Sequence, residues 1–398
     1  MFGNDARRLT VAVSAATAVL WGLAGPAAAA PAVGTIAGAG TQGAIPNSFI
    51  VVLKPGSAEA SQVTSASQEL AREYGGVVDG NYLSTVRGFH LNATSSEARR
   101  LAADPSVDYV EQDARITTAD APAWGLDRMD QRALPLSGTY THRPAAGITA
   151  YVIDTGIRTT HQEFGGRASS GWDFVDQDAT ADDCNGHGTH VAGTIGGATH
   201  GVARDVNLVG LKVLGCDGSG AYSDFIAAID WVTAHAQKPA VANMSLGGPL
   251  NRALNAAVQR SIASGVTYTI AAGNEDRNAC KASPAATPEA ITVGAVDAFD
   301  ARAPFSNWGR CLDLFAPGVE IESAGRASDS AVKTMSGTSM AAPHVAGAAA
   351  LVLAAHPDWT PAQVRADLID NAGTGLVTGA GKGSPNRLLY TGHLTAGA

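Results

Sequence analysis

Several patterns that would identify other classes of protein are missing from this chain of 398 residues. It contains no internal repeat and no heptad pattern, so neither a repeat array nor a coiled coil is predicted. Positive charge is also scarce, with 27 Lys and Arg against 36 Asp and Glu, and the net charge is -9. A chain with this balance is a poor partner for nucleic acid or an anionic membrane, and we expect neither.

Motifs of other hydrolases are absent too. No Gly-x-Ser-x-Gly occurs anywhere, which excludes the lipase and esterase interpretation. His187 and His190 form a His-x-x-His pair that is compatible with a metal ion. However, no Glu lies at the metalloprotease spacing and no third ligand is evident, so we do not expect catalytic zinc.

A long apolar run lies near the N-terminus. Arg7 and Arg8 precede the apolar residues 9–23, and four alanines follow at 27–30. This order predicts a secretory signal peptide at residues 1–30, since the run is too short to span a membrane. The Arg pair leaves both general and twin-arginine export open. We therefore expect a secreted, extracellular protein.

Cysteine is rare, and all four cysteines lie in the C-terminal two thirds of the chain: Cys184, Cys216, Cys280 and Cys311. Export makes disulfide bonds the default for these thiols. Four cysteines allow three pairings, and their spacing alone does not choose among them.

A small unit is predicted after a Gly/Ala/Thr-rich linker at residues 31–44. Strands are expected at 49–53, 86–91 and 107–110, and helices at 61–74 and 95–103. These elements predict a compact α+β unit at 45–115, within a segment that we bound at 31–116.

From residue 117 to 398 we predict one large domain in which strands and helices alternate. Strands are expected at 148–153, 206–214, 240–246, 266–271 and 290–296, and helices at 187–195, 223–236, 251–264, from 338 onward and at 360–371. Near-continuous apolar strands linked by helices predict an α/β fold, a parallel sheet with helices on both faces. Functional sites in such sheets lie beyond the carboxyl ends of the strands.

Ser339 opens a helix that is almost wholly apolar and therefore predicted to be buried. Pro343 is acceptable only near the start of that helix. The free N–H groups and positive dipole end at a helix start suit a developing anion, which favours a nucleophilic serine. The alternative is an ordinary helix-capping serine.

Three further polar residues lie at strand ends or helix starts. Asp154 and Asn274 each follow a buried strand, and His187 begins a helix among glycines. Each alone is compatible with a capping or turn role. Together with Ser339 they contain the nucleophile, base, orienting acid and anion donor of acyl-transfer chemistry.

The surrounding motifs resemble those of a known family. The blocks at 152–156 (VIDTG), 187–193 (HGTHVAG) and 337–343 (GTSMAAP) resemble the three signatures of the subtilisin-like serine proteases, in the order Asp, His, Ser. The segments 124–128, 242–248 and 384–389 resemble the proteinase K and aqualysin branch. The small N-terminal unit resembles the ferredoxin-like inhibitor propeptide that accompanies these enzymes.

The resemblance implies a serine endopeptidase that works through an acyl-enzyme. Ser339 would be the nucleophile, His187 the general base and Asp154 its orienting partner, while Asn274 would donate to the oxyanion. A catalytically silent, secreted binding protein of the same fold is the alternative, and a processing protease with basic specificity is a third. The latter would need acidic residues along the substrate strands, and none occurs at 218–222 or 245–248.

Substrate contacts are also implied by the resemblance. Two strand edges would pair with an extended peptide, and they consist of Gly218, Ser219 and Gly220 on one side and Ser245, Leu246 and Gly247 on the other. Because main-chain hydrogen bonds recognise the extended shape of the peptide and not its side chains, broad specificity is expected. Gly247, Ala272 and Gly273 would leave an open pocket that prefers an apolar or aromatic residue before the scissile bond.

The same branch implies two disulfide bonds, Cys184–Cys216 and Cys280–Cys311, and structural calcium. One calcium site would use the carbonyls of Pro288 and Ala290 with the Asp313 carboxylate. A second would involve Asp127, Asp130 and Gln131, with Ser137 nearby, and the alternative is a solvated acidic surface. The acidic run at 176–183 is expected to be a solvated loop.

The inhibitor-type unit implies a zymogen that processes itself. Residues 45–115 would act as an intramolecular inhibitor, with the segment 113–115 in the cleft and cleavage at 115–118. The mature enzyme is expected to be a monomer that acts on polypeptides.

Overall fold

The structure is a computed structural model that describes residues 32–39, 44–84, 86–114 and 123–395. The chain divides into two compact units, of which the smaller ends at Asp113 and the larger begins at Ala114. The expected signal peptide at 1–30 and the expected cleavage segment at 115–118 lie outside the described residues.

The smaller unit is a five-stranded sheet with two helices. Its elements are β1 (Ile36–Ala37), β2 (Ala44–Leu53), α1 (Val63–Tyr74), β3 (Val77–Tyr82), β4 (Gly88–Asn92), α2 (Ser95–Leu101) and β5 (Val107–Ala114), with strand order β1-β5-β2-β4-β3. Phe49, Phe89 and Leu101 are fully buried in its core. The sequence analysis missed β1, which lies in the expected linker, and β3, whose last four residues, Asp-Gly-Asn-Tyr, lack the apolar alternation of a typical strand.

The larger unit is built on a nine-stranded sheet in the order β17-β18-β14-β13-β11-β9-β6-β8-β7. These strands are β6 (Thr149–Asp154), β7 (Ala168–Asp173), β8 (Asn207–Lys212), β9 (Ala240–Met244), β11 (Val266–Ala271), β13 (Ile291–Val296), β14 (Leu314–Pro317), β17 (Gly373–Thr374) and β18 (Arg387–Leu388). Every pairing is parallel except that of β17 with β18. Two short antiparallel pairs complete the unit: β10 (Gly248–Pro249) with β12 (Ala282–Ser283), and β15 (Ile321–Ala324) with β16 (Val332–Met335).

Helices cover both faces of the large sheet, as predicted. The helices are α3 (Trp124–Met129), α4 (His187–Gly196), α5 (Tyr222–His235), α6 (Arg252–Ala263), α7 (Thr338–Ala355) and α8 (Pro361–Asp370). One buried core includes residues of α4, α7 and α8, and a second includes residues of α5 and α6. Strands buried between two layers of helices must be apolar throughout, which explains their uninterrupted hydrophobic runs.

Helix α7 lies inside the larger unit. It is the one helix among the described residues that is long and apolar enough to cross a membrane, but 83% of it is buried within the protein. Its many alanines allow α4 to pack closely against it. We therefore describe it as a core helix.

Pro343 lies further into α7 than the sequence analysis allowed. It is the sixth residue of the helix, beyond the first turn. Proline has no N–H, so the carbonyl of Ser339 four residues earlier lacks its usual helical donor. The Ser245 hydroxyl donates to that carbonyl over 2.7 Å instead. The proline is accommodated because a side chain supplies the missing hydrogen bond.

Four strands of the large sheet were not predicted: β7, β14, β17 and β18. Strand β7 has the sequence ASSGWD and lies at the edge of the sheet, where few apolar residues are needed. Strand β14 has only four residues and ends in Pro317. Sequence patterns indicate short strands of this kind poorly, because their pairing partners are distant along the chain.

Candidate active site

Asp154 and His187 are joined directly by a hydrogen bond. Asp154 ends β6 and is fully buried, and its Oδ1 accepts from His187 Nδ1 over 2.7 Å and from the Thr155 N–H over 2.8 Å. Because a carboxylate only accepts, His187 Nδ1 must carry the proton. Nε2 of the neutral ring is then left as the acceptor, which is the form that a general base requires.

The pKa of His187 is raised above its ordinary value by a balance of opposing effects. Burial is the largest effect and lowers the pKa, because it disfavours the charged ring. The charge and hydrogen bond of Asp154, together with the charge of Asp183, raise the pKa and outweigh burial. The imidazolium is therefore stabilised by two carboxylates.

Asp183 corrects the expectation of a solvated loop at 176–183. Asp176, Asp178 and Asp182 are exposed, but Asp183 is only 5% exposed. Its carboxylate accepts five hydrogen bonds of 2.6–2.9 Å, from Thr155 Oγ1, Asn185 N, Gly186 N, Thr189 N and Thr189 Oγ1. The turn pattern Asp-x-Asn-Gly immediately before the helix is the signal that could have indicated this role.

Gly188 permits the close approach of α4 to the end of β6. A Cβ atom at this position would lie 2.1 Å from the carbonyl oxygen of Gly156, which no side chain can tolerate. Its N–H donates to Thr155 Oγ1 over 2.9 Å. The glycine after His187 is thus needed for His187 to reach Asp154.

Ser339 is the second residue of α7 and exchanges hydrogen bonds with Ser245. Ser339 Oγ donates to the Ser245 carbonyl over 3.1 Å, and Ser245 Oγ donates back to the Ser339 carbonyl. Asn243 Nδ2 donates to Ser245 Oγ over 2.9 Å and so anchors the pair to β9. The position of the serine is set by uncharged groups.

In this arrangement Ser339 Oγ does not hydrogen-bond to His187 within the described part of the chain, since its proton is directed to Ser245. The Ser339 hydroxyl must leave the Ser245 carbonyl before it can donate to His187. Catalytic hydrogen bonds often form only once substrate is bound, so the resting geometry is compatible with a later transfer.

Asn274 is held so that its amide nitrogen faces the start of α7. Its Oδ1 accepts from both Thr338 N and Thr338 Oγ1 over 2.9 Å. A Cβ atom placed on Gly337 would lie 3.4 Å from Asn274 Nδ2 and 3.5 Å from Ser339 N. Both N–H donors therefore border the same small space. The sequence analysis missed Thr338, which fixes the orientation of the amide.

The expected substrate residues line two adjoining cavities. The larger, of about 600 Å³, is bordered by His187 and by both expected strand edges: Gly218, Ser219, Gly220, Ser245, Leu246 and Gly247. The smaller, of about 120 Å³, is bordered by Ser339, Asn274, Ala272, Gly273 and Gly247. The two cavities share the segment 246–248, so they form one continuous cleft beside Ser339.

The sequence profile of the subtilase family matches residues 145–390, and that of the peptidase inhibitor I9 family matches residues 48–119. The first match covers more than half of the chain and contains every residue of the cleft. The chain belongs to the subtilase family. It is a serine endopeptidase that carries an inhibitor-type domain at its N-terminus.

Individual relatives agree with this assignment. The subtilase is 49% identical over 365 residues to an alkaline serine exoprotease A of Vibrio alginolyticus, covering 87% of this chain and 68% of the relative. It is 51% identical over 344 residues to an extracellular serine proteinase of a Thermus species, covering 85% of this chain and 83% of the relative. The crystal structure of a cold-adapted subtilisin-like serine proteinase matches with 53% identity and a TM-score of 0.67, over 68% of this chain and 99% of that one.

Both expected disulfide bonds are present, Cys184–Cys216 and Cys280–Cys311. The first links the segment before His187 to the segment before Gly218. Lys212 lies buried beside it and donates through Nζ to the carbonyls of Thr155 and Leu214. The loops that carry His187 and the expected substrate edge 218–220 are therefore tied together.

The two expected calcium sites differ in their surroundings. Asp127 is buried and accepts from Gln131, Ser137 and the Gly138 N–H. The pKa of Asp130 is raised, mainly by burial and further by the charge of Asp127. A cation there would relieve the repulsion, and the Gln131 amide can present its oxygen after a half turn. The Asp127 site thus fits calcium.

The Asp313 site has a competing partner. Asp313 Oδ1 pairs with Arg365 and Oδ2 accepts from the Thr292 N–H over 2.8 Å. Burial raises the pKa of Asp313, and the Arg365 charge opposes that effect. Calcium bound by Asp313 with the Pro288 and Ala290 carbonyls would have to displace or share a guanidinium. Among the described residues no group of three or more His, Cys, Asp or Glu side chains is arranged to hold a metal.

Proposed function

We propose that this subtilase hydrolyses peptide bonds with Asp154, His187 and Ser339 as its catalytic residues and Asn274 as its oxyanion donor. The observation that carries the proposal is the 2.7 Å hydrogen bond from His187 Nδ1 to a fully buried carboxylate. It leaves Nε2 as the proton acceptor on the side of the ring that is free of Asp154.

The reaction proceeds in two halves. Ser339 Oγ turns from the Ser245 carbonyl to His187 Nε2, loses its proton to the ring and attacks the scissile carbonyl carbon. The oxyanion accepts from Asn274 Nδ2 and Ser339 N, and His187 then protonates the leaving amine. In the second half, a water molecule attacks the acyl-enzyme by the same steps and regenerates the Ser339 hydroxyl. Asp154 stays ionised and stabilises the imidazolium.

The substrate is proposed to bind as an added strand between the edges 218–220 and 245–247. Backbone groups dominate this contact, which supports broad specificity. The residue before the scissile bond would enter the smaller cavity, where Ala272, Gly273 and Gly247 leave room for an apolar or aromatic side chain. Glu275 and Arg277 at its border neutralise each other over 3.3 Å.

We propose that the protein is secreted as a zymogen with a signal peptide at 1–30. The inhibitor domain would occupy 31–116 and the peptidase 117–398, and cleavage at 115–118 by the enzyme itself would follow folding. The mature enzyme is proposed to be a monomer. The extracellular character of the relative named from Thermus and the two disulfide bonds support export.

Calcium is proposed as a structural ion, held by Asp127, Asp130, Gln131 and Ser137. When bound it would supply positive charge to two neighbouring carboxylates and so hold the loop that follows α3. A chelator should lower the midpoint temperature of unfolding of the inactive Ser339→Ala variant, and added calcium should restore it. An unchanged midpoint temperature would remove calcium from the proposal.

The catalytic assignment can be tested by labelling with a fluorophosphonate that reacts with activated serines. The wild-type enzyme should incorporate one label at Ser339, and Ser339→Ala should incorporate none. The same variant should remain a full-length precursor when purified, with the circular dichroism spectrum of a folded protein. Wild-type peptide hydrolysis by Ser339→Ala, or labelling of a different serine, would overturn the assignment.

A further inference from the structure

A third cavity, of about 270 Å³, lies against His187 outside the substrate cleft. One wall is the start of α4 and the segment before it, residues 185–187. The opposite wall is the β15–β16 hairpin, residues 325–327, 331–333 and Met335. It shares only Asn185, His187 and Met335 with the large cavity. His187 therefore separates two spaces.

The chemistry of His187 assigns a role to this space. The acyl half of the substrate occupies the cleft beside Ser339, and the proton that His187 returns goes to the amine on the other side of the broken bond. The leaving half must then run past the ring, away from the edges 218–220 and 245–247. The third cavity borders the ring and is lined by none of these edge residues.

Two positively charged side chains lie on the border of the cavity. Arg326 and Lys333 are both exposed on its border, and Arg326 Nε donates to the Asn185 carbonyl over 3.1 Å. In the described part of the chain neither side chain makes an ion pair within 4 Å. The nearby Asp329 carboxylate is already bound by Arg158 over 2.6 Å and by Thr160 over 2.7 Å.

The acyl side of the site differs in this respect. Apart from His187, no residue with a charged side chain lines the large cavity. In the small cavity Glu275 and Arg277 pair with each other. The uncompensated charge of the site thus lies on the leaving side alone, in a chain whose net charge is negative.

We propose that the third cavity binds the first two substrate residues after the scissile bond and that Arg326 and Lys333 select an acidic side chain there. The inference rests on the function proposed above and adds its substrate class: polypeptides with Asp or Glu directly after the cleavage point. Because both cations are exposed, the preference is modest, about three- to tenfold in kcat/KM for Asp over Lys. Screening reduces it at high salt.

The test uses quenched fluorescent peptides with one fixed acyl half and Asp, Asn or Lys at the first or second position of the leaving half. The mature wild-type enzyme should cleave the Asp peptides about three- to tenfold better than the Lys peptides, and less selectively in 0.5 M salt. Lys333→Glu and Arg326→Glu should each reduce or invert the ratio. Lys382→Glu makes the same charge change at an exposed lysine that lines none of the three cavities, and should leave the ratio unchanged.

The outcomes separate the two proposals. If no peptide is cleaved and Ser339 takes no fluorophosphonate label, the catalytic assignment fails. If all peptides are cleaved but Asp, Asn and Lys give equal kcat/KM, or if Lys382→Glu shifts the ratio as much as Lys333→Glu, the cavity does not select charge. A second measurement needs no variant: during ester hydrolysis, aspartic acid amide should intercept the acyl-enzyme better than lysine amide, and equal interception would overturn the proposal.

Discussion

Helices α4 and α7 each present a proposed catalytic side chain in the first turn, but they hold it by different means. At the start of α7, Ser339 is held by uncharged groups, through its exchange of hydrogen bonds with Ser245. At the start of α4, His187 is held by carboxylates. Asp154 accepts a hydrogen bond from its ring, and Asp183 accepts hydrogen bonds from the backbone N–H groups around it.

The difference shows where the pH dependence of the site arises. Hydrogen bonds between hydroxyl and carbonyl groups do not titrate in the working range, so the position of Ser339 should not change with pH. The charge of His187 does titrate, and two acids raise its pKa. Changes at α4 should therefore alter the pH profile, whereas changes at α7 should alter the rate at every pH.

The largest effect is expected from Asp154→Asn. An amide can donate to His187 Nδ1, which favours the tautomer with its proton on Nε2 and removes the base. We expect kcat to fall by about 10⁴-fold while folding is retained. Steady-state kinetics on one peptide substrate measures it. A loss of less than about tenfold would mean that Asp154 does not orient the ring.

Gly337→Ala should have the next largest effect, and it acts on the α7 side. The added methyl would lie between Asn274 Nδ2 and Ser339 N and crowd the oxyanion, which should lower kcat by roughly 10²-fold with little change in KM. The pH profile should keep its shape. Asn274→Ala provides the matched comparison, and the double variant should lose less than the sum of the two single losses. Fully additive losses would place the methyl outside the oxyanion space.

Asp183→Asn should give a smaller effect that depends on pH. Removing this charge takes away one cause of the raised pKa of His187, so the acid limb of the kcat/KM profile should move to lower pH. The lost hydrogen bonds should also cost about 1–3 kcal/mol of stability.

The exposed neighbour Asp182 provides the control for Asp183 through the Asp182→Asn variant. It loses the same charge from the same loop, yet its side chain is solvated. Its acid limb and its midpoint temperature of unfolding should match those of the wild type. If Asp183→Asn slows the reaction equally at every pH, Asp183 acts only as a structural residue.

The smallest effect concerns stability. Burial lowers the pKa of His344, in α7, to about 4, and it lowers that of His190, in α4, to about 4 as well. Both rings stay neutral in the folded state, while the unfolded chain takes up protons below about pH 6.5. Stability should therefore fall as the pH drops from 6.5 towards 4.

The contribution of His344 can be isolated in the inactive Ser339→Ala background, where self-digestion is absent. Each ring contributes at most about 1.4 kcal/mol per pH unit to the slope of unfolding free energy against pH. Adding His344→Leu should reduce that slope by the contribution of about one proton, which is about 1.4 kcal/mol per pH unit. An unchanged slope would show that His344 does not remain neutral in the folded state.

Much of the fold could be predicted from the sequence, because it follows from local patterns. The apolar runs of β6, β9, β11 and β13 predicted a parallel sheet covered by helices. The resemblance correctly implied the pairs Cys184–Cys216 and Cys280–Cys311. Strand β7 was missed because edge strands need little apolar sequence, and Pro343 was placed too early because Ser245 lies 98 residues away.

The candidate site was predictable in its residue types but not in its supporting contacts. The motifs indicated Asp154, His187, Asn274 and Ser339, and these remain the proposed catalytic set. Asp183 was expected to be solvated, although five donors from α4 and its neighbouring loops converge on it. The sequence of an acidic run does not reveal which of its carboxylates becomes buried when the chain folds.

The amino-acid sequence by itself determined the family of this protein, its two-unit organisation and the order in which the proposed acid, base and nucleophile occur along the chain. Only the tertiary structure decided that Ser339 rests on Ser245, that Asp183 supports His187, and that the unpaired charges of Arg326 and Lys333 lie on one side of the ring. The physical reason is that a motif specifies which side chains are present, whereas hydrogen bonds and charge balance depend on groups from distant segments that meet only after folding.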